Sequence, residues 1–196
     1  MAAKKISPEL QAIVSAGDAG YHAARAELLQ PYLVEHPNSV RGWVDLGHSL
    51  GHLFRFPEAE AAFQKALELV SGTERAGILG FLGHLWLDQG QLEKAKDCYG
   101  MQIEAEPDDA AGYLFLANVL LRESDTEGAI EVLTQATKCS QGCREEVHFQ
   151  LGVAYRCQDR LEDARLQMEQ ALRLDPELQP AEVALKDLKS ALARRR

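Results

Sequence analysis

No stretch of about 18 consecutive apolar residues occurs in this chain, so it offers nothing long enough to span a bilayer as a helix. Its opening, MAAKKISPELQAIVSAGDAG, carries two lysines but no apolar run of the length a secretory signal needs. Basic residues are short too: 21 Lys and Arg stand against 30 Asp and Glu, the net charge is −9, and the one basic cluster is the terminal ALARRR. Such a balance repels phosphate backbones, which argues against nucleic acid as a partner, and the lack of an apolar span argues against a membrane. The four cysteines, Cys98, Cys139, Cys143 and Cys157, are too few and too irregularly spaced for a secreted disulfide framework, so reduced thiols and a cytoplasmic location are expected. Also missing are a phosphate-cradling glycine loop, a nucleophile elbow and an HExxH pattern. The acidic EAEPDDA at 104–110 reads as solvated charge flanking helices. Neither catalysis nor a cofactor is expected.

What is present is a repeat. The chain has an ordinary globular composition, 46% hydrophobic and 26% charged over 196 residues. Within it WVDLGHSL (43–50), LGFLGHLW (79–86), YLFLANVL (113–120) and HFQLGVAY (148–155) share a large residue, then Leu-Gly or Leu-Ala, then another large residue. Each is followed by a second block: AEAAFQKAL (59–67), AKDCYGMQI (95–103), AIEVLTQAT (129–137) and ARLQMEQAL (164–172). The small residues Gly47, Gly83, Ala117 and Gly152 are spaced by 36, 34 and 35, and Ala59, Ala95, Ala129 and Ala164 step likewise. Apolar residues inside each block fall at i, i+3, i+4 and i+7, the period of one helical face, and RFPEAE, DQGQLE, SDTEG and QDRLED part the blocks. The unit is helix, short turn, helix. Gly47 and its equivalents leave room for the paired helix, and Phe63, Tyr99, Leu133 and Met168 fill the space opposite. Pro57 near a helix start, and Pro37, Pro107 and Pro176 past helix ends, stand where a missing N–H costs least.

These residues resemble the tetratricopeptide repeat, W-x2-L-G-x2-Y, then A-x3-F, A and P over about 34 residues. Trp43, Leu46, Gly47, Leu50, Ala59, Phe63 and Ala66 supply the pattern in the first repeat; in the second, Gln102 replaces the last alanine; in the fourth, His148 takes the leading position. The resemblance implies an all-α, right-handed superhelical solenoid of antiparallel helix pairs with a C-terminal capping helix. Residues 1–39 form a degenerate N-terminal repeat, in which Ser7 caps a helix begun by Pro8. Residues 40–178 hold four repeats (40–73, 76–109, 110–143 and 145–178), and 179–196 a capping helix and basic tail. In that helix Ala181, Leu185, Leu188 and Leu192 share one face and Lys186, Asp187, Lys189 and Ser190 the other, as closing a solenoid against water requires.

The resemblance further implies that the first helix of each pair lines a concave groove that binds a peptide or helical segment of another protein, the work of an adaptor or scaffold. Counting from each small residue, one groove row is His48, His84, Asn118 and Val153; the row three earlier is Val44, Gly80, Leu114 and Phe149; the row five later is His52, Asp88, Arg122 and Cys157. His48, Phe81, His84, Leu114, Phe115, Asn118, Arg122, Phe149 and Arg156 are the expected contacts, a mixture suited to a mainly apolar peptide with a few polar anchors. Chaperone-binding members of the family carry a carboxylate clamp of Lys, Asn and Arg. The corresponding places here hold Val44, His48, Phe81, Ala111 and Phe115, or one repeat later Gly80, His84, Phe115, Glu146 and Gln150, so capture of a chaperone's acidic tail is disfavoured. Self-association through the solenoid edge is a further reading.

A rival reading comes from His48 and His52 at i, i+4 on one helix and His84 and Asp88 at i, i+4 on the next. Packed helices lie roughly 8–10 Å apart, so four ligands could face one another and make a metal-binding accessory protein. His22 and His36 have no partner set at useful spacing. Cys139 and Cys143 flank SQG and could form a redox-linked bridge, whereas a helix between Cys143 and Cys157 would separate them by about 20 Å.

Overall fold

The computed structural model describes residues 7–17 and 21–195, and among them eleven α-helices and no β-strand. Part of the turn expected in the degenerate repeat (18–20) and the last residue of the basic tail lie outside the described residues. The chain divides into two compact units, 1–91 and 92–196. No described helix is long and apolar enough to cross a membrane.

The first unit holds α1 (Pro8–Gly17), α2 (His22–Glu35), α3 (Val40–His52), α4 (Phe56–Glu68) and α5 (Glu74–Asp88), each packed on its chain neighbour. Local chemistry places the ends. Ser7 Oγ accepts from the Leu10 N–H at 3.1 Å and Ser39 Oγ from the Gly42 N–H at 3.2 Å, each satisfying an orphan donor of the first turn. The α3–α4 pair is the tightest packing in this unit. A Cβ built on Gly47 would lie 2.8 Å from the Phe63 ring, so only glycine lets the fully buried Phe63 cross α3 there. Beneath the contact the buried Asp45 accepts from Arg41 Nε at 2.7 Å, and Ser49 Oγ donates to the Asp45 carbonyl.

The second unit holds α6 (Leu92–Ala105), α7 (Ala110–Arg122), α8 (Thr126–Ala136), α9 (Arg144–Cys157), α10 (Leu161–Leu174) and α11 (Gln179–Arg194). Ala117, Ala129, Leu133, Val147 and Leu151 share one core, and Met168, Ala171, Ala181 and Leu188 another. Here Gly152 takes the part of Gly47, but the group a Cβ would meet first is the terminal methyl of Met168, at 2.9 Å. The α6–α7 loop is tied to the α8–α9 loop: the Ala110 N–H donates to the Gln141 carbonyl, the Gln141 N–H to the Asp108 carbonyl, and the Ser140 N–H and hydroxyl to the Asp108 carboxylate. Those two bonds hold the Asp108 carboxyl below the usual carboxylate range. Cys139 is buried beside this tie, its Sγ donating to the Pro107 carbonyl, and burial pushes its thiol up; Cys143 is exposed and the two thiols are separate. Helix α11 turns Ala181, Ala184 and Leu188 onto α10, exposes Lys186, Asp187, Lys189 and Ser190, and ends with Arg195 donating to both Asp159 oxygens.

Among the described residues the turns that follow α3, α5, α7 and α9 close in the same way. The amide of Arg55, Gln91, Asp125 or Arg160 donates five residues back, to Leu50, Trp86, Leu120 or Tyr155 respectively, the bond that ends a helix in a Schellman motif. Such a turn needs one residue with positive φ, and the four are Phe54 (58°), Gly90 (71°), Ser124 (66°) and Asp159 (60°).

Because the Phe63 ring is rigid, Gly47→Ala is expected to lower stability by about 1–2 kcal/mol, and Gly152→Ala by less, since the Met168 methyl can swing away and the Ala164 carbonyl, at 3.2 Å, need give only slightly. Urea unfolding of the two variants checks this; equal losses would contradict it.

Candidate functional site

The first unit carries a concave pocket of about 480 Å³, within the range of ligand-sized clefts. Its lining comes from three helices and a turn: Gly47, His48, Gly51 and His52 from α3, Phe54 from the α3–α4 turn, Phe56 and Phe63 from α4, and Phe81, His84, Leu85 and Asp88 from α5. Gly51 keeps α3 close to α5, since a Cβ there would meet Leu85 Cδ1 at 3.2 Å.

Aromatic edges and faces set the interior. The His48 ring stands edge-on to Phe81, with centroids 4.3 Å apart, and edge-on to Phe63 at 5.5 Å; Phe63 and Phe81 lie 6.3 Å apart and nearly parallel. Burial in this setting pushes the His48 imidazole down to about 4, helped by His52, Arg41, Arg25 and His84 nearby, so at neutral pH it is uncharged. Burial also lowers His84, against the pull of the Asp88 carboxylate. At the upper end His52 stacks on His22 of α2, with centroids 4.1 Å apart and planes 20° from parallel. His22 Nδ1 is buried without a hydrogen-bond partner, and desolvation, then His52 and Arg25, hold this imidazole below its ordinary value.

Of the residues expected from sequence, His48, Phe81 and His84 line this pocket together, and Phe81 is 37% exposed. In the second unit Asn118 and Arg122 are exposed on α7, Arg156 is exposed near the end of α9, and Phe115 is half-buried with its ring 5.4 Å from that of Tyr99. Leu114 requires a correction: it is 7% exposed and belongs to the core. A residue three before the small position shares its face of the helix, which is the face pressed on the paired helix, and Val44 and Gly80 are buried in the same row. Phe149 is half-buried against the core under α10 and α11. The rows one and five residues after the small position are the accessible ones.

The metal reading finds no support in the geometry. His48 is turned onto two phenylalanine rings and His52 onto His22, and among the described residues no group of three His, Cys, Asp or Glu side chains is placed to hold a metal ion. His22, set aside in the sequence, is brought into contact because α2 packs on α3. Phe54, in the α3–α4 turn, and Phe56, the first residue of α4, line the pocket at positions that the repeat pattern does not mark. The signal was present: Phe54 occupies the turn position held elsewhere by Gly90, Ser124 and Asp159. A bulky residue in left-handed conformation costs about 1–2 kcal/mol relative to glycine.

The unfolded chain takes up a proton on His48 near the ordinary 6.5, and the folded chain resists it until about 4, so stability held above pH 6.5 is lost as pH falls through that window. The fall in Tm from about pH 7 to about pH 4.5 is therefore expected to be smaller in His48→Asn than in the wild type, with a residue of the loss left to His22 and His84. Thermal melts across that range check this; parallel falls would refute it.

Comparison with known proteins accords with this architecture. Three models of the tetratricopeptide repeat match the chain, at residues 40–69, 82–142 and 145–178. Tetratricopeptide repeat protein 36 of Mus musculus is 31% identical over 143 residues, covering 71% of this chain and 70% of that protein. Among solved structures, YrrB, a TPR protein with an unusual peptide-binding site, superposes with a TM-score of 0.64 at 16% identity, over 93% of this chain and 92% of that one. The first TPR of Spaghetti (RPAP3), bound to the HSP90 peptide SRMEEVD, does so with a TM-score of 0.57 at 24% identity, over 62% of this chain and 95% of that one. By its repeats, its helix pairs and its relatives, the chain belongs to the tetratricopeptide repeat family.

Proposed function

We propose that this chain is a non-catalytic interaction module, an adaptor or scaffold, that holds a peptide or helical segment of a partner protein. The binding site is the pocket of the first unit, with Phe81, His48 and His84 as contacts. One observation carries this reading: the pocket is walled by phenylalanines and the uncharged His48, and leaves Phe81 open to solvent where a side chain from outside can cover it. In the second unit Asn118 and Arg122, one turn apart and exposed on α7, are the polar contacts, with Phe115, Phe149 and Arg156 as further candidates.

Two related proteins of this fold that bind peptides support the class of function. The chemistry of the chaperone-tail complex is not matched here: the clamp places hold Val44, His48, Phe81, Ala111 and Phe115, none of them a cation at neutral pH, so an acidic C-terminal tail is a poor fit. A cytoplasmic setting agrees with cysteines too few and too irregularly spaced for a disulfide framework.

Affinity capture from a native lysate, with the wild type, Phe81→Ala and a control on the exposed face of α4, Lys65→Ala, tests the site. Phe81→Ala is expected to reduce recovery of specific partners by about tenfold with the far-UV spectrum unchanged, and Lys65→Ala to leave it intact. Equal recovery by all three would overturn the assignment.

A further inference from the structure

Phe54 stands apart from every other large side chain of the first unit. It is held at φ 58°, in the conformation that its turn demands and that phenylalanine disfavours, and it is 79% exposed. Folding thus bears two unfavourable terms at one residue, a strained backbone and an aromatic ring left in water. The three equivalent turns meet the same demand with Gly90, Ser124 and Asp159. Among the described residues the ring makes an edge contact with Phe56, at 5.9 Å between centroids. The ring nevertheless lines the pocket, and strain of this kind collects at sites that engage a ligand.

The charges around the pocket narrow what that ligand is. Asp88, exposed on α5, is the one carboxylate among the lining residues, and none of them is Lys or Arg. Of the cations nearby, Arg55 is committed to Glu58 through two hydrogen bonds of 2.7 and 2.5 Å and Arg41 to the buried Asp45, while Arg25 of α2 acts on His22 and His48 but does not line the pocket. A segment that pairs an apolar side chain with a cation would cover Phe54 and Phe81 and meet Asp88, and rings at the rim attract the same cation through their faces.

Resting on the pocket as the binding site, we propose that Phe54 is a partner-contacting residue kept exposed by its turn, and that with Phe81 and Asp88 it selects a basic protein segment bearing a large apolar anchor such as Leu, Met or Phe. The segment's apolar side chain fills the pocket and its lysine or arginine reaches Asp88.

A phage library of random dodecapeptides panned on the full chain provides the probe, and the most enriched peptide, synthesised with a fluorophore, is titrated by anisotropy against wild type, Phe54→Gly, Phe81→Ala and Asp88→Asn. The enriched pool is expected to combine a large apolar residue with Lys or Arg within one helical turn of it. Phe54→Gly is expected to weaken binding by about tenfold while melting at or above the wild-type temperature, because the substitution relieves the turn. Asp88→Asn is expected to weaken binding several-fold, by a factor that shrinks as salt is raised. Unchanged affinity in Phe54→Gly with binding lost in Phe81→Ala would overturn the role of Phe54 and leave the pocket standing, and a lowered melting temperature in Phe54→Gly would make the ring structural. An acidic or purely polar pool would overturn the partner class. No enrichment, or a peptide that binds Phe81→Ala as tightly as wild type, would overturn the pocket reading itself.

Discussion

The contact of Gly47 with the Phe63 ring is the constraint on which the first unit turns. A helix pair joined by a three-residue turn must bring its two backbones together within a few residues of that turn, and the missing side chain at 47 is what allows it. Once α3 and α4 are locked there, the phase of α3 is settled: Val44, Leu46 and Leu50 go inward, and His48 and His52 go toward α5 and α2. The second unit solves the same problem with Gly152 against a methionine and the Ala164 carbonyl, and adds a tie between loops through Asp108 and Ser140.

Because His48 emerges beside Phe63, the surface next to this contact is aromatic as well as polar. An imidazole edge-on to two phenylalanine rings loses its water and with it the stability of its charge, which removes its ability to act as a cation at neutral pH. Spacing alone cannot distinguish ligands that face one another from rings that pack on their neighbours. The pocket that results is a place to bury an apolar side chain, and the exposed phenylalanines at its mouth follow the same chemistry.

Most of the fold was legible. The recurrence of Leu-Gly or Leu-Ala with a large residue opposite identified the helix pairs, and the amphipathic α11 was readable as a helix with one face to bury. Of the contacts expected from sequence, His48, Phe81 and His84 line one pocket, the candidate site, while Leu114 lies in the core because its row is on the same face as the small residue that packs inward. Phe54 escaped notice because a turn was read by its connecting role, and the demand for positive φ became visible only with the backbone hydrogen bond from Arg55 to Leu50.

What the sequence determined by itself is periodic: which residues are helical, which face of each helix is apolar and where a small side chain must stand, since all of these depend on neighbours within a few residues along the chain. What only tertiary structure decided is how side chains distant in sequence meet: His22 on His52, His48 on Phe81, and Phe54 left without a partner of its own size beyond Phe56. Those meetings depend on the rotation of one helix against the next, which packing sets to within an ångström and no repeat pattern records.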